Sequence, residues 1–165
     1  MRPGKVAWDW WNCFDNQGND GCNTKTYERF IDFAARTGVD YVIFDEGWSE
    51  TLNIWKFHKN VDVPHLIDYA NRKGVGIILW MAWAQVYGDE EKVASHFAKL
   101  GAKGFKVDFM DRGDADVERF LWTFADEAAP LPAYPRAGRL SLRDGGDADV
   151  PVARLPAGGE SGEAA

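Results

Sequence analysis

The chain has 165 residues, 45% of them apolar and 14% aromatic, enough for one ordinary core and no more. Its formal net charge of -7 excludes the clustered Lys and Arg that binding to nucleic acid phosphates requires. No run approaches the roughly 18 apolar residues of a membrane span, so no membrane partner is expected.

The N-terminal stretch MRPGKVAWDWWN lacks the charged, apolar and small-residue order of a signal peptide. Cys13 and Cys22 have neither zinc spacing nor a second pair, and a local bridge between them is the one pairing open. Eight tryptophans, at positions 8, 10, 11, 48, 55, 80, 83 and 122, are the unusual feature of the composition.

Residues 5–12, KVAWDWWN, read as a first strand running into a loop at Gly18 to Gly21. Asn23 or Thr24 then caps a helix in which Tyr27, Phe30, Ile31 and Ala34 recur on one face, with Gly38 as its stop. Tyr41 to Phe44 is a short β-branched run, a second strand that ends at Asp45, Glu46, Gly47 and Trp48. A loop through Trp55 leads to Asp62 and Pro64, which open a second helix carrying Leu66, Ile67 and Ala70 and closing at Gly74. Val75 to Trp80 is continuous apolar sequence, as expected of a strand covered on both faces. Val93, Phe97 and Leu100 mark a third helix ending at Gly101. Gly104 to Met110 gives a fourth strand, and from Asp114 a fourth helix carries Val117, Phe120, Leu121, Phe124 and Ala128.

Four strand–loop–helix units at roughly 30 to 35 residues each indicate an α/β chain with a parallel sheet, either doubly wound or part of a (β/α)8 barrel. A complete barrel of that type takes about 250 residues, so a barrel reading makes residues 1–129 the first four units, a partial barrel. Residues 130–165 hold five of the seven prolines and six glycines, with no Trp, Phe, Ile, Lys or Asn. Such a stretch cannot bury enough surface to offset its ordering entropy, so it reads as a disordered tail or as a departure from the reading frame.

In parallel α/β folds the chemistry sits at the C-terminal ends of the strands. Those ends offer Asp9, Trp10, Trp11 and Asn12, then Asp45, Glu46 and Trp48, then Trp80 and Trp83, and last Lys106, Asp108 and Asp111. Carboxylates accept hydrogen bonds from sugar hydroxyls and indoles pack on the C–H face of a sugar ring, so the mixture suits a saccharide. Asp108 lies within the apolar FKVDFM, where an ionised carboxylate needs a compensating cation, and Lys106, two residues away, projects from the same strand face. Trp8 and Trp122 read as core residues, and Asp89, Glu90 and Glu91 as favouring a helix N-terminus. His58, His65 and His96 have no partner motif. A divalent ion among Asp9, Asp45 and Asp108 is the less favoured arrangement, for want of His ligands. No metal ligand is assigned.

The segments VAWDWWN, NTKTYERFIDFAARTGVDYVIFDEGW, GIILWMAW and GAKGFKVDFMDR together resemble the catalytic barrel of glycoside hydrolase family 97 over about residues 4 to 129. That resemblance implies a bacterial α-glycoside hydrolase of periplasmic or secreted origin, either a retaining α-galactosidase or an inverting α-glucosidase, with a calcium ion near the sugar. Related α-galactosidase families carry an acidic pair before Gly-Trp on strand two and Lys-x-Asp on strand four. By that likeness Asp108 is the nucleophile, Lys106 a hydroxyl donor, and Asp45 with Glu46 ligands of distal hydroxyls. Asp9, Trp10, Trp48, Trp80 and Asp111 complete the expected sugar-binding set.

The family's general acid/base and calcium-ligating glutamates lie on later strands, which nothing in residues 130–165 matches. The sequence therefore reads as a fragment of a retaining α-galactosidase-like enzyme with little activity alone. An inverting α-glucosidase and an inactive carbohydrate-binding remnant are the alternatives. Open half-barrel edges are expected to favour self-association.

Overall fold

The computed structural model describes residues 3–10 and 21–129. In chain order these form β1 (Val6–Trp8), α1 (Thr24–Thr37), β2 (Tyr41–Phe44), β3 (Ser49–Glu50), β4 (Asn53–Phe57), α2 (Val63–Arg72), β5 (Gly76–Ala82), a 3-10 turn at Trp83–Gln85, α3 (Glu90–Leu100), β6 (Gly104–Asp108) and α4 (Ala115–Ala128). The strands β1, β2, β5 and β6 pair in that order, all parallel, because a helix carries the chain back before each new strand begins. Among the described residues no helix is long and apolar enough to cross a membrane.

The helices start and stop where local chemistry requires. The Asn23 side chain accepts the Thr26 N–H, Asp62 accepts that of His65 with Pro64 in the first turn, and Asp114 accepts those of Asp116 and Val117. Gly38 ends α1 at φ 71° and Gly101 ends α3 at φ 102°, left-handed positions that cost a residue with Cβ more than glycine.

The core lies between the sheet and its helices. Val42 and Phe44 of β2 and Ile77, Leu79 and Met81 of β5 are buried against Tyr27 and Ile31 of α1, Leu66 and Ile67 of α2 and Phe97 of α3. All seven residues of β5 are buried, consistent with a central strand covered on both faces.

Several elements differ from the sequence reading. The expected loop before α2 contains an antiparallel hairpin, β3–β4, which buries Ile54. Its turn places Leu52 at φ 58°, a conformation usually signalled by Asn or Gly, so the sequence carried no turn mark. The fourth strand stops at Asp108 and not at Met110, because Phe109 turns to φ 58°. Trp8 is partly exposed on the sheet, and Trp122 is 70% exposed on α4 beside the exposed Leu121, so neither tryptophan is a core residue. Trp11, Asn12, Cys13 with its possible bridge, and the expected tail at 130–165 lie outside the described residues.

Candidate active site

Strand register assembles the site. Trp80 pairs with Lys106 and Ala82 with Asp108, while Phe105 and Val107, the alternate residues of β6, pack toward the helical core. Lys106 and Asp108 therefore share the sheet face turned away from the helices.

Lys106 stands between two carboxylates. Its Nζ lies 2.8 Å from Asp45 Oδ2 and 3.3 Å from Asp108 Oδ2, and 4.7 Å above the Trp8 ring. Burial alone would lower the ammonium's pKa, but the hydrogen bond to Asp45 and its charge, followed by those of Asp108, outweigh that effect and raise it above the ordinary lysine value. The Lys106 ammonium thus lies between the carboxylates of Asp45 and Asp108.

Asp108 is held ionised. Its Oδ2 accepts from the Trp80 indole Nε1 at 3.2 Å and from Lys106, and its Oδ1 accepts from the Phe109 N–H at 3.0 Å. The Trp80 hydrogen bond is the largest influence on the group, burial opposes it, and the Phe109 and Lys106 contacts add to it, so the pKa falls below the ordinary aspartate value. Among the described residues Oδ1 accepts one N–H where Oδ2 accepts from two donors, which leaves Oδ1 the freer oxygen. Phe109 and Asp111 take positive φ, 58° and 45°, so the chain leaves the nucleophile candidate through a strained bend.

Asp45 is buried, with every oxygen engaged. Oδ2 accepts from Trp8 Nε1 at 2.5 Å and from Lys106, Oδ1 accepts from the Glu46 N–H at 2.9 Å, and its own N–H donates to Asp9 Oδ1 at 2.9 Å. Asp9 is itself fully buried, and the contact made by its Oδ1 braces the Asp45 backbone. Trp48 likewise has no exposed surface. Its Nε1 donates to the Trp80 carbonyl at 2.8 Å and its ring packs edge-on against Phe97, so it supports the rim from below. The sequence reading had assigned Trp8 to the core and so missed its part in this cluster.

Beside these groups lies a cleft of about 710 Å³, lined by Cys22, the exposed Glu46, hairpin residues including Glu50, and His58, Trp80 and Gln85. Its volume is that of a small-ligand site. Trp80 belongs to both the cleft wall and the Asp108 hydrogen bond. Trp10 lies partly exposed just beyond β1, and Asp111 is exposed past the bend, neither of them in the cleft wall. Among the described residues no group of three or more His, Cys, Asp or Glu side chains converges on a metal position.

A sequence profile described as Glycoside hydrolase 97 matches residues 8–131. The chain belongs to glycoside hydrolase family 97.

Within that family, the chain is 46% identical over 134 residues to a retaining alpha-galactosidase of Bacteroides thetaiotaomicron, a match that covers 78% of this chain and 20% of the relative. It thus spans about a fifth of the length of that relative. Among solved structures, the alpha-galactosidase of Thermus thermophilus in complex with p-nitrophenyl α-D-galactopyranoside superposes with a TM-score of 0.63 at 15% identity, over 78% of this chain and 37% of that one. A variant of a family 97 enzyme from Pseudoalteromonas sp. strain K8 in complex with panose superposes at 0.61 and 17% identity, over 77% and 26%. At those identities the likeness is one of fold.

Proposed function

We propose that this family 97 chain contributes the nucleophile side of a retaining α-galactosidase site. The observation that carries the reading is Asp108, a carboxylate at the end of a parallel strand, kept ionised by Trp80, Phe109 and Lys106, with Trp80 also lining a cleft of about 710 Å³. The 46%-identical relative's name supports the substrate class and the stereochemistry.

In this reading Asp108 Oδ1 attacks the anomeric carbon as the bond to the leaving oxygen breaks, giving a glycosyl ester. A second carboxyl protonates the leaving oxygen, then takes a proton from the water that attacks the anomeric carbon and releases Asp108, with net retention. Asp45 is unsuited to that second role, since both its oxygens already accept N–H donors. The acid/base belongs instead to the later barrel strands of the family, as do the ligands of any calcium ion. Lys106 has three N–H donors, of which two reach carboxylates, leaving one for a sugar hydroxyl. The exposed Glu46 faces the cleft as an acceptor. The four βα units form one part of a (β/α)8 barrel in this reading, and the free edges of β1 and β6 pair with further strands.

The test is hydrolysis of nitrophenyl α-galactoside and α-glucoside by this chain and by the chain joined to the remaining barrel strands of the Bacteroides relative. Galactoside turnover in the joined form, lost on Asp108→Asn by at least about a thousandfold, supports the reading. An Asp108→Asn form that keeps its rate overturns it.

The described residues also favour a second reading for the chain by itself. With no second carboxyl beside Asp108 that is free to deliver a proton, the cleft would bind a sugar without cleaving it. Saturable galactose binding with no turnover in either form would select this reading.

A further inference from the structure

We propose that Trp8 is a positioning residue for Asp108, acting through Asp45 and Lys106. Three contacts form the chain of influence. The Trp8 indole N–H donates to Asp45 Oδ2 at 2.5 Å, the same oxygen accepts from Lys106 Nζ at 2.8 Å, and that ammonium reaches Asp108 Oδ2 at 3.3 Å. The face of the same indole lies 4.7 Å beneath the ammonium. Trp8 thus touches both partners of the part-buried pair, one with its N–H and the other with its ring.

The geometry makes the Asp45 oxygen a shared acceptor. With the indole N–H in place, part of its charge is satisfied by Trp8, and Lys106 is left to serve two carboxylates. Without it, Lys106 is the remaining side-chain donor to a carboxylate that is almost wholly buried, and the ammonium is drawn toward Asp45 and away from Asp108. β1 also fixes Asp45 from a second side, through Asp9 Oδ1 and the Asp45 N–H.

Among the described residues, the ionisable groups around this cluster come from three strands. Lys106 is on the strand of Asp108, Asp45 and the exposed Glu46 come from the end of β2, Asp9 comes from the end of β1, and β5 contributes the neutral indole of Trp80. The assignment rests on the reading of Asp108 as nucleophile for its meaning in catalysis, while the contacts themselves stand apart from that reading.

The test is made on the full 165-residue chain by NMR, with the carboxyl carbon of Asp108 titrated directly. The Trp8 indole N–H resonance should lie well downfield, as a bond to a carboxylate requires, and should move upfield in Asp45→Asn. Trp8→Phe keeps a ring under Lys106 and removes the N–H. It should raise the proton affinity of Asp108 by about tenfold, the scale of one hydrogen bond to a charged group. In an Asp45→Asn background the same exchange should leave the Asp108 midpoint where it is, since the intermediary is gone.

An Asp108 midpoint unmoved by Trp8→Phe in a chain as stable as the parent overturns the proposal. An indole resonance at the position of a solvent-exposed tryptophan also overturns it, and does so whether or not Trp8→Phe folds. These readouts need no turnover. A shifted midpoint together with a joined barrel that hydrolyses nothing would sink the glycosidase reading alone, and the converse result would sink this inference alone.

Discussion

The indole Nε1 of Trp80 donates to Asp108 Oδ2 at 3.2 Å from the neighbouring strand, and the same residue lines the cleft. It is the foremost influence holding the Asp108 carboxyl below the ordinary aspartate range. Trp80→Phe keeps most of the wall and removes the donor. In the joined barrel, kcat is expected to fall by about tenfold, the scale of one hydrogen bond to a charged group, and the acid limb of kcat/KM to move to higher pH. A pH–rate profile of the two forms measures both.

Lys106→Met leaves Asp45 buried with one charge-assisted partner fewer. Breaking such a pair from one side costs about 3 kcal/mol where burial is nearly complete, and urea unfolding of the 165-residue chain at neutral pH reads it. The sign with pH follows from the shifts. The raised Lys106 pKa gives stability that is complete below the ordinary lysine value and lost as pH rises through the raised one. The lowered Asp108 pKa gives stability present above the ordinary aspartate value and lost as pH falls through the lowered one. Lys106→Met should therefore lose the part of the alkaline fall in stability that Lys106 contributes.

Much of the fold is legible in the chain because four helices carry clean apolar spacing with caps at Asn23, Asp62 and Asp114, and the strands between them are β-branched. The hairpin is hidden because Leu52 takes a backbone conformation that its side chain does not advertise. The site is legible at Lys106 and Asp108, where spacing of two on one strand places both groups on one face whatever the register. Trp8, Asp9 and Trp48 depend on which neighbour each strand meets. Sequence supplies no register between β1 and β2, so the pairing of Trp8 with Ile43, which brings that indole to Asp45, is invisible in it. Trp122 was misplaced for a related reason, since its helix shows one face to the core and the exposed side carries an indole and Leu121 together.

Trp48 offers a separate check on the assignment of core and cleft. Trp48→Phe should cost about 1 kcal/mol through loss of the bond to the Trp80 carbonyl, and Trp48→Ala about 3 to 5 kcal/mol through the cavity left against Phe97. Calorimetric or denaturant unfolding measures the series. KM for an α-galactoside should be unchanged in Trp48→Phe, since the ring has no exposed surface to meet a sugar.

Gly47 sits between Glu46 and Trp48 at φ 114°, and a Cβ there would lie 2.8 Å from Cys22 Sγ. Gly47→Ala should destabilise the chain by about 2 kcal/mol, from backbone strain and the sulfur clash together. Adding Cys22→Ala should recover only the second part, so a midpoint in urea between those of the parent and Gly47→Ala is expected for the double variant.

The most direct measurement is the mass of the glycosyl-enzyme ester. The joined barrel is treated with an activated 2-deoxy-2-fluoro α-galactosyl substrate, digested and mapped. A single galactosyl-derived adduct on the peptide bearing Asp108, with product released in the α configuration from an ordinary substrate, is the result this account expects. An adduct on another carboxylate, or no adduct together with release of the β anomer, would contradict it.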